Sequence, residues 1–508
     1  GISCREPKWQ KYHREVHTLS TDLAQVAKKA NPKLLVTYHR IYHMNIQDNR
    51  KNLAAEMAWR DEAILDEREF SKQLNQNNQR AFLKMIEAYE KKIAPSMRAQ
   101  GYKRINQKER TVIFSFGEMT FIRSRWKKGD TVRIPVDEKL GLEPRQRFSQ
   151  ELLYQITELS NYMPYRKVVA VMELLKKIYI TKNTVQHALE VAGQLINEKE
   201  EYDSLSVQSW TEEEKEKVKP KILYVEGDGV WVKRSTDKKK KSLELTHFVV
   251  HSGSKKGKRN ILMDKLEVVS THYQRAKDKL LDLIYQHYDI DSNTMIVTNS
   301  DGGKGYSPKV FKELADAFNP KKHFHFWDAF HVNQALKRNL SSFPSGLTNK
   351  AFKAIKNRDK SGLKTVLDTA ESFIESDEKL EAFQRFSRQL MKNFKFTDKP
   401  ESFGLSSNGI GIMESQHRKI TYRMKNRGMY WSKKGANAMS QTILLSHTGE
   451  LRDLFFGEWR SHFDTMKDQE KNTPGLPCHD ENKNYTLPQL KRTNVKKKWG
   501  NHMIEERD

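Results

Sequence analysis

Cysteine is nearly absent: 508 residues contain two, Cys4 and Cys478, close to opposite ends. That count excludes a disulfide framework and a zinc knuckle and fits a reducing cytoplasm. Long apolar runs are missing too. No stretch of 18 apolar residues occurs, so no membrane-spanning helix is expected. The first twenty residues are polar and mixed in charge, without the pattern of a signal peptide. Acid is the scarcer charge, with 65 Asp and Glu against 91 Lys and Arg, a net of +26. Such an excess favours a polyanionic partner, because Lys and Arg displace the counterions condensed on phosphates. Sign alone leaves DNA, RNA and an anionic membrane open. A mean hydropathy of -0.82 describes a surface-rich, soluble chain. Nevertheless, 9 Trp, 18 Tyr and 23 Phe suffice for real cores, and the length predicts two to four domains.

Residues 50–94 repeat apolar side chains at helical spacing, with Pro95 at the expected end. Residues 111–136 alternate as strands about a predicted turn at Gly117-Glu118, with Arg123, Arg125, Lys127 and Lys128 as a basic rim. Two amphipathic segments, 165–178 and 181–196, with Thr181 as N-cap, fit either a helix-turn-helix or a plain helical hairpin. Lys182 then stands at the start of the second helix. A charge-rich linker is expected over 198–219. After Pro220 the pattern becomes strand, strand, strand, helix, strand, helix, strand, ending near Trp327. That is the element order of a ribonuclease-H-like α/β fold. Residues 333–404 read as an all-helical insertion. The catalytic domain is then expected to comprise 220–332 and 405–450, preceded by an N-terminal helical region (1–100), a β-hairpin region (101–147) and the 148–219 segment. Residues 451–508 are expected to form a basic tail, disordered over its last twenty-five residues.

Acids at the ends of such strands carry the chemistry. Phosphodiester transfer needs metal ions that activate one oxygen and stabilise another, and magnesium is held by a few carboxylates. Asp228 lies between two glycines in an apolar strand, where an acid is costly to bury unless it is paired or metal-bound. A solvated bulge is the plainer alternative, and Glu226 is a competing acid on the same strand face. Asp301 ends the fourth strand in Asp-Gly-Gly, which is also ordinary turn chemistry. The first and fourth strands of a ribonuclease-H-like sheet are neighbours, so the two carboxylates would converge. Glu414 precedes 35 residues, 415–449, without an acid. Seven cations fall within 415–434: Arg418, Lys419, Arg423, Lys425, Arg427, Lys433 and Lys434. The set suits a metal ligand beside a phosphate track, or else a solvated basic helix whose first-turn Glu complements its dipole. Asp328 and His331, three apart, share a helix face. His331 either supports the metal site and its phosphate or is a hydrogen-bonded core residue.

Several strings resemble the Lre-type insertion-sequence transposases of Gram-positive bacteria. They are Thr111–Phe121, the Tyr165-Arg-Lys segment, Glu226-Gly-Asp-Gly-Val-Trp-Val, Asp328-Ala-Phe-His-Val-Asn and, most specifically, Arg423-Met-Lys-Asn-Arg-Gly-Met-Tyr-Trp-Ser-Lys-Lys-Gly-Ala. The similarity runs from about residue 50 to 450, and more distantly it extends to mutator-like transposases. It implies a triad of Asp228, Asp301 and Glu414 on a ribonuclease-H-like core, with Mg²⁺ or Mn²⁺ as cofactor and a helical insertion before the Glu. Asp328 and His331 match a Cys/Asp-x-x-His motif of the mutator-like relatives. The implied activity is DNA cleavage and strand transfer at mobile-element ends. The implied partners are double-stranded DNA and further copies of the chain, in a bacterial cytoplasm close to the nucleoid. A DNA-binding protein that has lost catalysis, or a nuclease without strand transfer, is the alternative.

Overall fold

A computed structural model describes residues 66–472, apart from 210–216, 236–241, 256–260, 304 and 408. The expected helix over 50–65 and the tail beyond 472 lie outside the described residues. The chain divides into two compact units, residues 1–80 and 81–508. Of the first, the described part is the opening of helix α1 (Glu67–Ala99).

Helix α1 does not stop at Pro95. It continues to Ala99, and Met97, buried in that last turn, supplies the apolar contact that offsets the hydrogen bond proline removes. Strands β1 (Lys103–Phe114), β2 (Gly117–Lys128) and β3 (Thr131–Arg133) form an antiparallel meander. The first turn falls at Ser115-Phe116 rather than at Gly117-Glu118. Gly117 pairs with Phe114 in the ladder, and the rings of Phe114 and Phe116 stack at 5.3 Å. Val112, Phe114, Met119 and Phe121 bury against Phe82 and Ile86 of α1.

After the short α2 (Pro135–Lys139), helices α3 (Gln150–Tyr162), α4 (Tyr165–Val171) and α5 (Lys182–Ser209) follow. A π turn, Met172–Lys176, and left-handed Lys177 lie between α4 and α5. Thr181 caps α5 as expected: its Oγ1 accepts from the Thr184 N–H, and its own N–H donates to Thr184 Oγ1, both at 3.3 Å.

The central sheet comprises β4 (Ile222–Lys233), β5 (Ser242–His251), β8 (Leu266–Ser270), β9 (Met295–Ser300) and β10 (Lys322–Trp327). Two short strands, β6 (Gly253–Lys255) and β7 (Ile261–Met263), pair on their own. The third strand expected from the pattern is thus broken in two at Asp264, whose φ is 48°. The sheet order is β10-β9-β4-β5-β8. Strand β5 is antiparallel to β4 and β8, whereas β9 and β10 run parallel to β4. Helices α6 (Tyr273–His287) and α7 (Pro308–Asp316) cover one face through Leu223, Val225, Phe248 and Val250. Helices α8 (Ala329–Leu340), α9 (Ser345–Lys356), α10 (Lys360–Glu371) and α11 (Asp377–Asn393) then build a helical insertion around their own core of Leu336, Leu363, Leu367 and Phe383.

The chain returns over the other sheet face with α12 (Met413–Met424) and α13 (Lys433–Thr448), which bury Val230, Val232 and Leu245 beneath Ile420, Met424, Met439 and Ile443. The segment expected to begin a tail at 451 folds as α14 (Leu451–Phe456) and α15 (Trp459–Asn472). Leu451, Leu454, Phe455, Trp459 and Phe463 enter the core of α3 and α5, so this apolar stripe outweighs the charge around it. The fold is mixed α/β, and among the described residues no helix is long and apolar enough to cross a membrane.

Candidate active site

The site follows from strand register. Glu226 on β4 stands opposite Asn299 on β9, and Asn299 stands opposite Phe326 on β10. Side chains alternate along a strand, so two residues further along, Asp228, Asp301 and Asp328 fall on that same face. Asp301 and Asp328 lie just past the last paired residues. The Asp328 N–H donates to the Ser300 carbonyl at 2.8 Å and carries the alignment one step beyond the ladder. Three neighbouring parallel strands therefore carry an aspartate at the same level: Asp228 within β4, which continues to Lys233, and Asp301 and Asp328 just past the ends of β9 and β10.

Each carboxylate is held by nearby backbone through Oδ1. Asp228 accepts from the Gly229 N–H at 2.7 Å and Asp301 from the Gly303 N–H at 2.8 Å. Asp328 caps α8, accepting from Phe330 and His331 at 2.8 and 3.2 Å. Burial, and then the charge of Asp301, push the Asp228 carboxyl up to about 6. His331 moves upward because of its hydrogen bond to Asp328, reinforced by the charges of Asp328, Asp228 and Asp301, against the opposing effect of burial. Its Nδ1 lies 3.5 Å from Asp328 Oδ1. The expected pairing of Asp328 and His331 on one face is therefore present, and it belongs to the aspartate row rather than to an apolar core.

Glu226 has a different part from that of a competing ligand. It is 1 % exposed. Its Oε1 accepts from the Gly411 N–H at 2.8 Å, and its Oε2 accepts from the Ile412 N–H at 3.1 Å and Asn299 Nδ2 at 3.3 Å. Burial pushes this carboxyl up to about 8 despite those three donors. It fastens the loop before α12 onto the sheet. Gly411 sits at φ 76°, where an L side chain is strained. The sequence signal for this role was an acid directly after the apolar run Ile222–Val225, on the face that Asp228 shares.

Helix α12 brings His417 to the row, its Nδ1 3.8 Å from Asp228 Oδ2. Burial and the neighbouring His247 and His331 lower the His417 imidazole to about 3, so it is neutral. His247, directly across the ladder from Asp228, stands 5.1 Å from the His417 ring. Glu414 is exposed and, among the described residues, makes no hydrogen bond or ion pair with Asp228 or Asp301. Helical geometry fixes its side of α12. Gln416 and Lys419 are turned towards β8, where Lys419 Nζ bonds both oxygens of Glu267 at 2.6 Å. Glu414, two residues before Gln416, points to a different side of the helix. Among the described residues no three His, Cys, Asp or Glu side chains are arranged as a formed metal cage.

Two expected phosphate contacts are corrected. Arg423 is fully buried, with Nε donating to the Ser160 carbonyl at 2.5 Å and the guanidinium between the rings of Tyr165 and Trp431. Lys419 is engaged by Glu267. Both cations hold α12 in place and cannot track DNA. Arg418, Lys425, Arg427, Lys433 and Lys434 remain exposed, as does Lys182 at the start of α5. In the hairpin region Arg123 is likewise committed, to Asp137 at 3.0 Å.

The Glu267 anchor gives a pH-dependent prediction. Burial alone would raise this carboxyl, but the nearby His247 and the ammonium groups of Lys419 and Lys265 outweigh it and hold it well below the usual range. A depressed folded value contributes stability that is present above the unfolded value, about 4.3, and lost as pH falls through the folded one. Glu267→Gln is expected to cost roughly 3 kcal/mol at pH 7 by breaking a buried pair. Urea titrations should show that penalty shrinking below about pH 4.3; the same penalty at both pH values would contradict the ion-pair account.

Comparison with known proteins adds two similarities. A family model described as an uncharacterised protein family (UPF0236) matches residues 62–461. The chain is also similar to "UPF0236 protein in vanSb 3'region" of Streptococcus gallolyticus. The two are 31 % identical over 386 residues, which cover 74 % of this chain and 80 % of that protein.

Proposed function

We propose that this chain, which belongs to the uncharacterised protein family UPF0236, is a DNA transposase of the Asp-Asp-Glu kind. One observation carries the reading: Asp228, within β4, and Asp301, just past the end of β9, lie at one level on one face of adjacent parallel strands, the face covered by the helix that bears Glu414. A five-stranded sheet in which β5 alone runs antiparallel to the central strand β4, with β9 and β10 parallel beyond its other edge, supports a ribonuclease-H-like core. The helical insertion between β10 and α12 agrees with the resemblance of the sequence to Lre-type transposases.

The carboxylates suit a divalent metal. Asp228 is raised partly because Asp301 repels it, and hard oxygen donors in such proximity are what Mg²⁺ or Mn²⁺ binds. Asp228 and Asp301 would hold the metal, with Glu414 completing the set from the first turn of α12. Bound there, it would activate the attacking oxygen and stabilise the leaving one. The protein's own part is positional. Glu226 and Glu267 fix both ends of the α12 segment that presents Glu414 and His417. His331, whose protonated form Asp328 favours, stands beside the row. Arg418, Lys425, Arg427, Lys433 and Lys434 offer exposed charge to the DNA backbone. The reaction would be hydrolysis at the element ends, then attack of each freed 3′-hydroxyl on target DNA. Further copies of the chain would pair two ends, within a bacterial cytoplasm near the nucleoid.

Metal binding tests the reading without reference to activity. Mn²⁺ titration followed by electron paramagnetic resonance should show binding to the full chain. Asp228→Asn and Asp301→Asn should each weaken it by at least about tenfold. Unchanged Mn²⁺ affinity in both variants would refute the assignment.

A further inference from the structure

We propose that the open end of the β1–β2 ribbon is a separate clamp for the backbone phosphates of duplex DNA. It rests on the reading of the chain as DNA-acting and gives a location to contacts remote in sequence from the aspartate row. Lys103 and Lys127 stand directly opposite each other across the ladder, and both are exposed. With Arg104 and Lys128, and with Gly101, Ile105 and Gly129, they line an open cleft of about 390 Å³. Like charges placed directly opposite on a ribbon destabilise it, so the pairing works against folding.

Three other cations of this small sheet meet acids, whereas Lys108 and Arg125 do not among the described residues. Arg110 and Arg123 meet Asp137, and Arg133 meets Glu138. The four cations of the cleft have no carboxylate within ion-pair distance among the described residues. Their geometry is prepared rather than loose. A register shift between Arg104 and Asn106 bends the strand there. Gly101 at φ 86° and Gly129 at φ 57° turn the chain at the cleft's edges. Lys128 Nζ donates to the Gln100 carbonyl at 2.9 Å and lies 5.9 Å from the centre of the Tyr102 ring. The lining is rich in donors and has no acidic side chain, which is the chemistry of a phosphate site. Ile105 is its one large apolar side chain, too little for insertion into a lipid surface. A two-stranded antiparallel ribbon is also a shape that lies along a DNA groove.

The test uses the full chain and a Lys103→Ala/Lys127→Ala double variant. Binding to a random-sequence duplex of about 30 base pairs is followed by fluorescence anisotropy between about 50 and 200 mM NaCl. Each lost phosphate contact should reduce the slope of log affinity against log salt by about 0.9, so a fall of nearly two units is expected. Thermal melting should be unchanged or slightly higher, since a like-charge pair has been removed. An unchanged slope, with the parent chain still binding in a salt-dependent way, overturns the clamp alone. Failure of the parent chain to bind duplex DNA at all overturns the functional reading and the clamp with it. Loss of binding to phosphatidylserine vesicles in the variant, with the DNA slope intact, would assign the cleft to a membrane and also overturn the proposal.

Discussion

Asp228→Asn is expected to lower Mg²⁺-dependent DNA strand cleavage by roughly a thousandfold, about 4 kcal/mol of transition-state stabilisation. The same loss is expected for Asp301→Asn, and the double variant should be little worse, because groups that act as one unit are not additive. The loss should come without unfolding. Burial, and then the charge of Asp301, push Asp228 up to about 6, so at neutral pH and without metal its charge opposes the folded state. A group raised above its unfolded value gives stability that is lost as pH rises through the folded value. A neutral Asn removes that penalty, and the melting temperature of Asp228→Asn in metal-free buffer at pH 7 should equal or exceed that of the parent. Cleavage that survives in Asp228→Asn would mean that the aspartate row is not the catalytic centre. A large drop in melting temperature would mean that Asp228 is a structural acid.

The second large effect is expected at Glu226. Glu226→Ala leaves the Gly411 and Ile412 N–H groups and the Asn299 amide without their acceptor in a dry interior. The destabilisation should be about 3–5 kcal/mol in urea titrations. Catalysis should fall as well, because those bonds set the start of α12, and a small displacement of a positioned group costs up to about a hundredfold. Glu226→Gln retains the shape and one acceptor oxygen but turns an amide towards a donor, so it should fall between the parent and the alanine variant. A Glu226→Ala chain within about 1 kcal/mol of the parent would show that the loop before α12 is held by other contacts.

Much of this arrangement was legible in the chain, and most of the misses share one cause. Alternation along 222–234 and 243–251, turn chemistry at Asp-Gly-Gly and helical spacing in between are local signals, and they led to the order of strands and to Asp228 and Asp301 as neighbours. Register is not local. Nothing within 322–328 states that Trp327 will pair with Ser300, so the alignment of Asp328 with the other two aspartates required the tertiary structure. The basic run after Glu414 misled for the same reason. Arg423 looks like its exposed neighbours Lys425 and Arg427, but its partners are Ser160 and Tyr165, some 260 residues away. Its place beside Ile420 and Met424, on the apolar side of α12, was the available hint. In 451–463 the helical spacing of Leu451, Leu454, Phe455, Trp459 and Phe463 was readable, and surrounding charge obscured it. Glu414 rests on resemblance and on its place in the first turn of α12.

Strand transfer tests the central claim most directly. Purified full-length chain, Mg²⁺, a duplex carrying the DNA that flanks its own coding sequence with a free 3′-hydroxyl, and a supercoiled target plasmid should yield covalently joined product on a sequencing gel. The account predicts joining by the parent chain, none by Asp228→Asn or Asp301→Asn, and none when EDTA replaces the metal. Joined product of equal yield from Asp228→Asn, or metal-independent joining, would contradict it.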